Sequence, residues 1–430
     1  RKDQIKTMTD LLDNMNTDDM EDKPSKVVFL EGEPGVGKSF LIDKVLQKAS
    51  ESKIKAGKTS VNSQATKIAY VAWKDMFQKI LHVENKERNS DFLEEMKDIL
   101  EDYVPGSGDL LPLLSAVLGI EIEENDVTDT ITGEFRAEKT TSLMLSLLVA
   151  NNYKLFIIEN SQWLDSASWR FALTASQTML GCVFIFVSRP YVGESPSMEH
   201  TALKNDPETI VVDLPLFNQD EVDKFACDCL GVDVVPEMAL QLIRDRGNGN
   251  PLLITELCDA LVMNKIVEIS DGSCRVLKKT NMNDGLSIPN NLRGLITGKI
   301  DRLNQSQQKL LKCASIVGKE FLIDLIEHLL KTIFNVNVSD EHLLSDLQSL
   351  TEFNLIVVKS TIPMVYAFAN PLTQEVLYEQ MLYSQRIQIH ETIAEWLETQ
   401  LEDQASGYAE LAHHYQAAEK WERSVIYFSK

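Results

Sequence analysis

Residues 27–46 read VVFLEGEPGVGKSFLIDKVL: four apolar residues, a glycine-rich loop, then a helical pattern that starts at a lysine and a serine. The loop Gly32-Glu33-Pro34-Gly35-Val36-Gly37-Lys38-Ser39 satisfies G-x-x-x-x-G-K-[ST], with a buried-strand pattern before it. Glycines let the backbone curl into a concave nest of N–H groups that side chains would obstruct. In this arrangement Lys38 carries charge to terminal phosphates, Ser39 offers its hydroxyl to Mg²⁺, and the helix N-terminus adds its dipole. Phe40, Leu41, Lys44 and Val45 begin the helix. The stretch from Gly32 to Phe40 is the expected contact set for ATP or ADP. A chain built around this motif needs a buried strand, a tight loop and a helix in that order.

Such a loop needs a carboxylate to hold the metal, usually at the end of another buried strand. In LFIIENSQWLD (residues 155–165) an apolar run ends at Glu159, the expected metal ligand together with Ser39. The next position holds Asn160. A carboxamide orients a water but takes no proton from it. Asp165 is the nearest alternative carboxylate and a candidate for that catalytic task. Residues 183–187 form a third apolar run that ends at Ser188-Arg189-Pro190. An arginine at the carboxyl end of a parallel strand points toward the ligand crevice, so Arg189 is a candidate γ-phosphate sensor. Residues 67–71 and 210–214 are two more strand candidates. Strands alternating with helical stretches predict a parallel α/β sheet.

The formal net charge of −23 argues against nucleic-acid binding, since each phosphate contact needs Lys or Arg. Acidic clusters at residues 18–22 and 121–126 read as solvated surface. No apolar run is long enough to span a bilayer, and no signal-peptide pattern opens the chain. The six cysteines are scattered, and Cys227 and Cys229 are poorly spaced for a metal, so free thiols in a reducing, cytoplasmic setting are expected. The seven histidines form no cluster in the sequence, and His413 and His414, being adjacent, diverge on a helix. Beginning at Arg1 and ending inside a helical pattern at Lys430, the chain reads as a piece of a longer protein.

Beyond the sheet, residues 216–290 read as helical, broken at Gly247-Asn248-Gly249-Asn250-Pro251, with Pro251 at a first helical position. From Asn291 the pattern is again helical, with Leu292, Leu295, Ile296, Ile300 and Leu303 on one face. LIVVKSTIPMVYAF then reads as two short strands around a turn at residues 361–363. Helices followed by a hairpin suggest a winged helix, here without a basic stripe, so a packing module is favoured over a DNA reader. The tail YAELAHHYQAAEKWERSVIYFSK has the spacing of a first helical-repeat unit.

Taken in order, GEPGVGKS, IAYVAWKDMF, GDLLPLLSAVLG, LFIIENSQWLDSASW, FIFVSRP, GNGNPLLITEL, IPNNLRGLITGKIDRLNQSQQKLLKCASIVGKEF, FANPLTQEVLYEQML and YAELAHHYQAAEKW resemble the signal transduction ATPases with numerous domains. The same stretches are similar to the ATPase region that follows the catalytic domains in soluble, class III adenylyl cyclases and related multidomain regulators. The resemblance implies a P-loop core at residues 26–215 behind a lead helix at 1–25. A helical lid at 216–290, a winged helix at 291–400 and the start of tetratricopeptide-like repeats at 401–430 follow. It implies that Gly32, Gly37, Lys38 and Ser39 hold phosphate, Glu159 the metal, Arg189 the sensor position and Pro251 the lid contact near the base. Two positions depart from the pattern. Asn160 replaces a usual second acid, implying slow or absent hydrolysis. Asn370 stands where relatives commonly carry a histidine, so no histidine contact from the winged helix to nucleotide is expected. The implied function is an ATP-binding regulatory switch of a multidomain signalling protein, with slow Mg-ATPase activity at most in this stretch and adenylate cyclase activity in the full-length protein. Intramolecular or protein partners are expected through the repeats. The alternatives are a scaffold whose ATP is structural, or the same module attached to a kinase or a transcription regulator.

Overall fold

A computed structural model describes residues 2–15, 23–61, 69–83, 92–191, 196–270, 272–277, 292–334, 340–400 and 407–429. The chain divides into two compact units, Arg1–Leu216 with Asn250–Leu252, and Phe217–Gly249 with Leu253–Lys430. In the first unit five parallel strands, β1 (Lys26–Glu31), β2 (Ala56–Ser60), β3 (Leu155–Glu159), β4 (Val183–Ser188) and β5 (Ile210–Asp213), lie in the order β2-β3-β4-β1-β5. The helices are α1 (Lys2–Met15), α2 (Lys38–Glu51), α3 (Val71–Ile80), α4 (Phe92–Tyr103), α5 (Ser115–Leu118), α6 (Gly133–Ala150), α7 (Ser166–Thr178) and α8 (Met198–Lys204). This is the parallel α/β sheet expected from the alternation of apolar runs and helical stretches.

Alternate residues of a strand face opposite sides of a sheet, so an apolar run buried on both faces must feed two cores. Phe29, Phe156, Phe184 and Phe186 enter one core with Trp73, Phe77 and Trp169. Val28, Leu30, Leu155, Ile157, Ile185 and Val187 enter the other with Met8 and Leu12 of α1 and Ile42 and Val45 of α2. Phe156 stacks on Phe184 at 4.6 Å and Phe29 on Phe186 at 5.3 Å. Those rings fix the register of β1, β3 and β4, whose carboxyl ends carry the loop, Glu159 and Arg189.

The strand expected at residues 67–71 is not where the sheet finds its edge. Residues 62–68 lie outside the described residues, and Val71 opens α3, whose Ala72, Trp73, Met76, Phe77 and Ile80 are buried on one face. The edge strand is β2, AGKTS, in which only Gly57 and Thr59 are buried. A strand with one wet face has no apolar run to announce it.

The second unit begins with α9 (Gln219–Leu230), α10 (Glu237–Gly247) and the greater part of α11 (Pro251–Met263). Asn218 and Glu221 close a capping box on α9, and Gly231 ends it in the left-handed region. The uniformly helical reading of residues 216–290 is corrected by a hairpin, β6 (Val267–Ser270) paired with β7 (Ser273–Val276). Only Val267 and Cys274 of these strands are buried. Residues 278–291, and with them the boundary expected at Asn291, lie outside the described residues.

Next come α12 (Leu292–Ile300), α13 (Gln305–Val317), β8 (Glu320–Leu322), α14 (Ile323–Phe334), α15 (Asp340–Glu352), β9 (Ile356–Thr361), β10 (Met364–Phe368), α16 (Pro371–Glu379) and α17 (Tyr383–Gln400). The hairpin expected at residues 355–368 is β9–β10, and β8 adds a third antiparallel strand. Finally α18 (Tyr408–Ala417) and α19 (Trp421–Ser429) pack on each other, and Leu411 and Tyr415 share a small core with Ala394 of α17. Among the described residues no helix is long and apolar enough to cross a membrane.

Candidate nucleotide site

The loop between β1 and α2 turns at Gly35, φ +83°, and Gly37, φ +96°. At Gly35 a side chain meets a second obstacle, because a Cβ there would lie 2.7 Å from both Asn250 Oδ1 and Leu252 Cβ. Gly37 sits at the N-cap of α2 with no side-chain cap, so the first N–H groups of the helix receive nothing from a capping oxygen. Concave, uncapped backbone of this kind suits a phosphate.

Lys38 Nζ donates to Gly32 O at 2.6 Å and Glu33 O at 3.0 Å, which folds the ammonium into the loop. Burial, followed by the field of Arg189, pulls its pKa down to about 8, against the opposing pull of Glu33 and Glu159. The structure therefore brings Lys38, Arg189 and Glu159 into one electrostatic neighbourhood. A desolvated ammonium that feels a second cation favours a neighbouring anion. A cavity of about 240 Å³ opens beside the loop, lined in part by Gly32, Glu33, Val36, Pro190, Asp213 and Leu214. Ser39 and Phe40, in the first turn of α2, are both exposed. The Phe40 ring carries Lys44 Nζ 5.8 Å above its centre.

Glu159 closes β3 with its side chain only 14% exposed, 3.3 Å from Lys58 Nζ. Asn160 follows at φ 57°, ψ 41°, and its amide donates to Ser60 Oγ at 3.2 Å. Asparagine is one of the few residues that enter this left-handed region readily, so its identity has a local conformational reason besides the missing acid.

Asp165 is placed differently from its expected catalytic task. It is the N-cap of α7, 7% exposed, and its carboxylate accepts from Ser168 N at 2.9 Å, from Ser168 Oγ and from Tyr70 N at 3.2 Å. A carboxylate so occupied is a cap that holds α3 and α7 together.

Two residues went unread in the sequence. Gln162 accepts from Arg189 N at 3.3 Å, while its Nε2 is buried and unpartnered among the described residues. Asn250 donates to Pro34 O at 2.8 Å and caps Leu252 N at 3.1 Å, while Leu252 N also donates to Gly35 O at 3.2 Å. Residues 250–252 thus strap the loop, and Pro251 is their buried centre. The Gly-Asn-Gly-Asn-Pro break was the visible signal, and the expectation named only its proline.

The parallel sheet and this loop define a P-loop ATPase fold, and residues 1–185 match the AAA ATPase domain family. Residues 218–275 match a domain of unknown function, DUF8739. The whole chain resembles the signal transduction ATPases with numerous domains. A protein of that class with a tetratricopeptide repeat sensor, from Pyrococcus horikoshii, covers 97% of this chain and 49% of its own at TM-score 0.53 and 13% identity. Adenylate cyclase type 10 of Homo sapiens is 21% identical over 350 residues, 71% of this chain and 21% of that protein. The Rattus norvegicus protein of the same name is 21% identical over 463 residues, 87% of this chain and 28% of that protein. The chain spans about a quarter of the curated relatives it matches.

Proposed function

We propose that the chain is an ATP-binding regulatory module of a multidomain signalling protein that holds nucleotide and hydrolyses it slowly or not at all. The observation that carries this reading is Lys38, desolvated beside Arg189 at an uncapped helix N-terminus in a chain of net charge −23. Against that acidic background the loop is a local concentration of positive potential suited to ATP or ADP.

The residues present fit a nucleotide with its metal. The loop from Gly32 to Ser39 holds the β- and γ-phosphates, with Lys38 and Arg189 on their oxygens. Ser39 and Glu159 would hold Mg²⁺, which when bound neutralises phosphate charge. Phe40, Pro251 and the cavity beside the loop make up the remaining contacts. Hydrolysis requires a group that takes a proton from water. Glu159 is paired with Lys58, Asn160 is a carboxamide bound to Ser60, and Asp165 is a cap. Binding groups are retained while a free base is lacking among these three, so the site favours holding over turnover.

The division into a lid (216–290), a winged helix (291–400) and a first repeat (401–430) belongs to the same proposal. The relatives named adenylate cyclase support a cAMP-signalling context. A cytoplasmic setting and protein partners on the repeats belong to the same proposal, and the net charge of −23 disfavours nucleic acid as a partner.

Fluorescent-ATP titration combined with single-turnover hydrolysis tests the reading. Lys38→Ala is expected to weaken binding roughly ten- to a hundredfold, the loss of one charge-assisted contact. Wild-type turnover is expected about 10²–10⁴-fold below the usual enzyme median of roughly ten per second. Wild-type affinity in Lys38→Ala would remove the site, and ordinary turnover would remove the holding role.

A further inference from the structure

Four of the six cysteines, Cys227, Cys229, Cys258 and Cys274, fall in α9, α11 and β7 of the second unit. They differ in access. Cys258 and Cys274 belong to the core of these helices, while Cys229 is exposed near the end of α9. Its sulfur lies 3.6 Å from Thr255 Oγ1 of α11. Residues three apart share a helix face, so a sulfur against Thr255 also lies beside Cys258. Each thiol is the first-ranked influence on the acidity of the other.

We infer that Cys229 and Cys258 form a redox modification site, a thiol pair that a peroxide converts to a disulfide tying α9 to α11. The asymmetry assigns the roles. Cys229 is exposed and open to a peroxide, whereas Cys258 is enclosed in the core of these helices. Cys258 and Thr255 draw the Cys229 thiol down, against burial and the charges of Asp259 and Asp228, while Cys229 and burial push the Cys258 thiol up. The exposed sulfur is thus the better nucleophile and the enclosed one resolves it.

In the first step Cys229 thiolate attacks one oxygen of hydrogen peroxide. The O–O bond breaks, hydroxide leaves, and the sulfur becomes a sulfenic acid. In the second step the sulfur of Cys258 attacks the sulfenic sulfur, the S–O bond breaks, and the hydroxyl departs as water with the thiol proton. Two thiols and one peroxide give one disulfide and two waters. The two electrons come from sulfur. A dithiol reverses the link by exchange, leaving as its own disulfide.

The test treats the 430-residue chain with stoichiometric hydrogen peroxide, blocks remaining thiols with an alkylating agent, and maps unreduced peptides by mass spectrometry. A peptide pair joined through Cys229 and Cys258, lighter by two hydrogens and released by dithiothreitol, is expected. In Cys258→Ser the Cys229 sulfenic acid has no resolving partner and should be trapped by dimedone. Cys227→Ser should leave the link intact. A link from Cys229 to Cys227 would overturn the assignment, as would over-oxidised Cys229 beside a freely alkylated Cys258 in the wild-type chain. Dimedone labelling equal in wild type and Cys258→Ser would also overturn it.

Discussion

Lys38 makes two hydrogen bonds to its own loop, and its lowered pKa places a titration inside an accessible pH range. The charged form is the one that attracts phosphate, and in the ligand-free protein it is lost as pH rises through about 8. ATP affinity is therefore expected to hold steady below pH 7 and to fall above pH 8, approaching tenfold per pH unit. Titration across that window checks it, with the Lys38→Arg variant giving a flat profile because guanidinium stays charged. The loop glycine makes a second prediction. Gly35→Ala places a methyl 2.7 Å from Asn250 and Leu252 and keeps a left-handed backbone costing about 1–2 kcal/mol. It should lower the unfolding temperature, whereas Asn250→Ala removes the strap's bond to Pro34 with little steric change. At this scale the loop and the placement of Glu159 and Arg189 at strand ends were legible because strand ends and glycine spacing are local signals. The capping role of Asp165 went unread, although an acid three residues before Ser168 at a helix start carries a capping signature. Gln162 acquires its meaning only when β4 brings Arg189 to it.

Elements were legible in proportion to how completely they are buried. β1, β3 and β4 are unbroken apolar runs because both faces are covered, whereas β2, β6 and β7 bury only one or two residues each and carry no such run. The histidines show the same limit. His413 and His414 diverge in sequence, yet His390 of α17 meets His414 of α18 through their Nδ1 atoms at 2.8 Å, with the His413 ring 6.2 Å from that of His390. One ring must donate and the other accept, so at least the accepting ring is neutral. Burial lowers the pKa of His390 to about 4, helped by His413 and Arg386, and takes His414 well below its usual value. Depressed histidines bind protons only after unfolding, so their stability contribution is intact above pH 6.5 and is lost as pH falls toward 4. The loss from His390 begins below its unfolded value near 6.5 and continues until pH nears 4. Thermal melts from pH 7.5 to 4.5 should show this decline, and a His390→Gln/His414→Asn double variant should flatten it. An unchanged slope in that variant would assign the acid sensitivity elsewhere.

For the whole molecule, the proposed regulatory role requires that nucleotide be felt beyond the loop. With saturating ATP and Mg²⁺, hydrogen exchange should slow at residues 35–41 and at 250–252, and also in α11 and α12. Protection confined to the loop would leave a structural nucleotide and no regulation. The strap defined by Asn250 and Leu252 has another consequence, for how the ATPase portion is separated from the rest. The chain leaves the first unit at Leu216 and returns for only three residues before leaving again. A fragment cut at residue 216 would keep all five strands of the parallel sheet, and one cut at residue 185, where the AAA match ends, would keep only β1, β2 and β3 whole; both lose the hydrogen bonds to Pro34 and Gly35. The nucleotide unit has an edge that no single cut point reproduces. A fragment ending at 216 that binds weakly could be restored by a peptide spanning residues 248–255, supplied in trans.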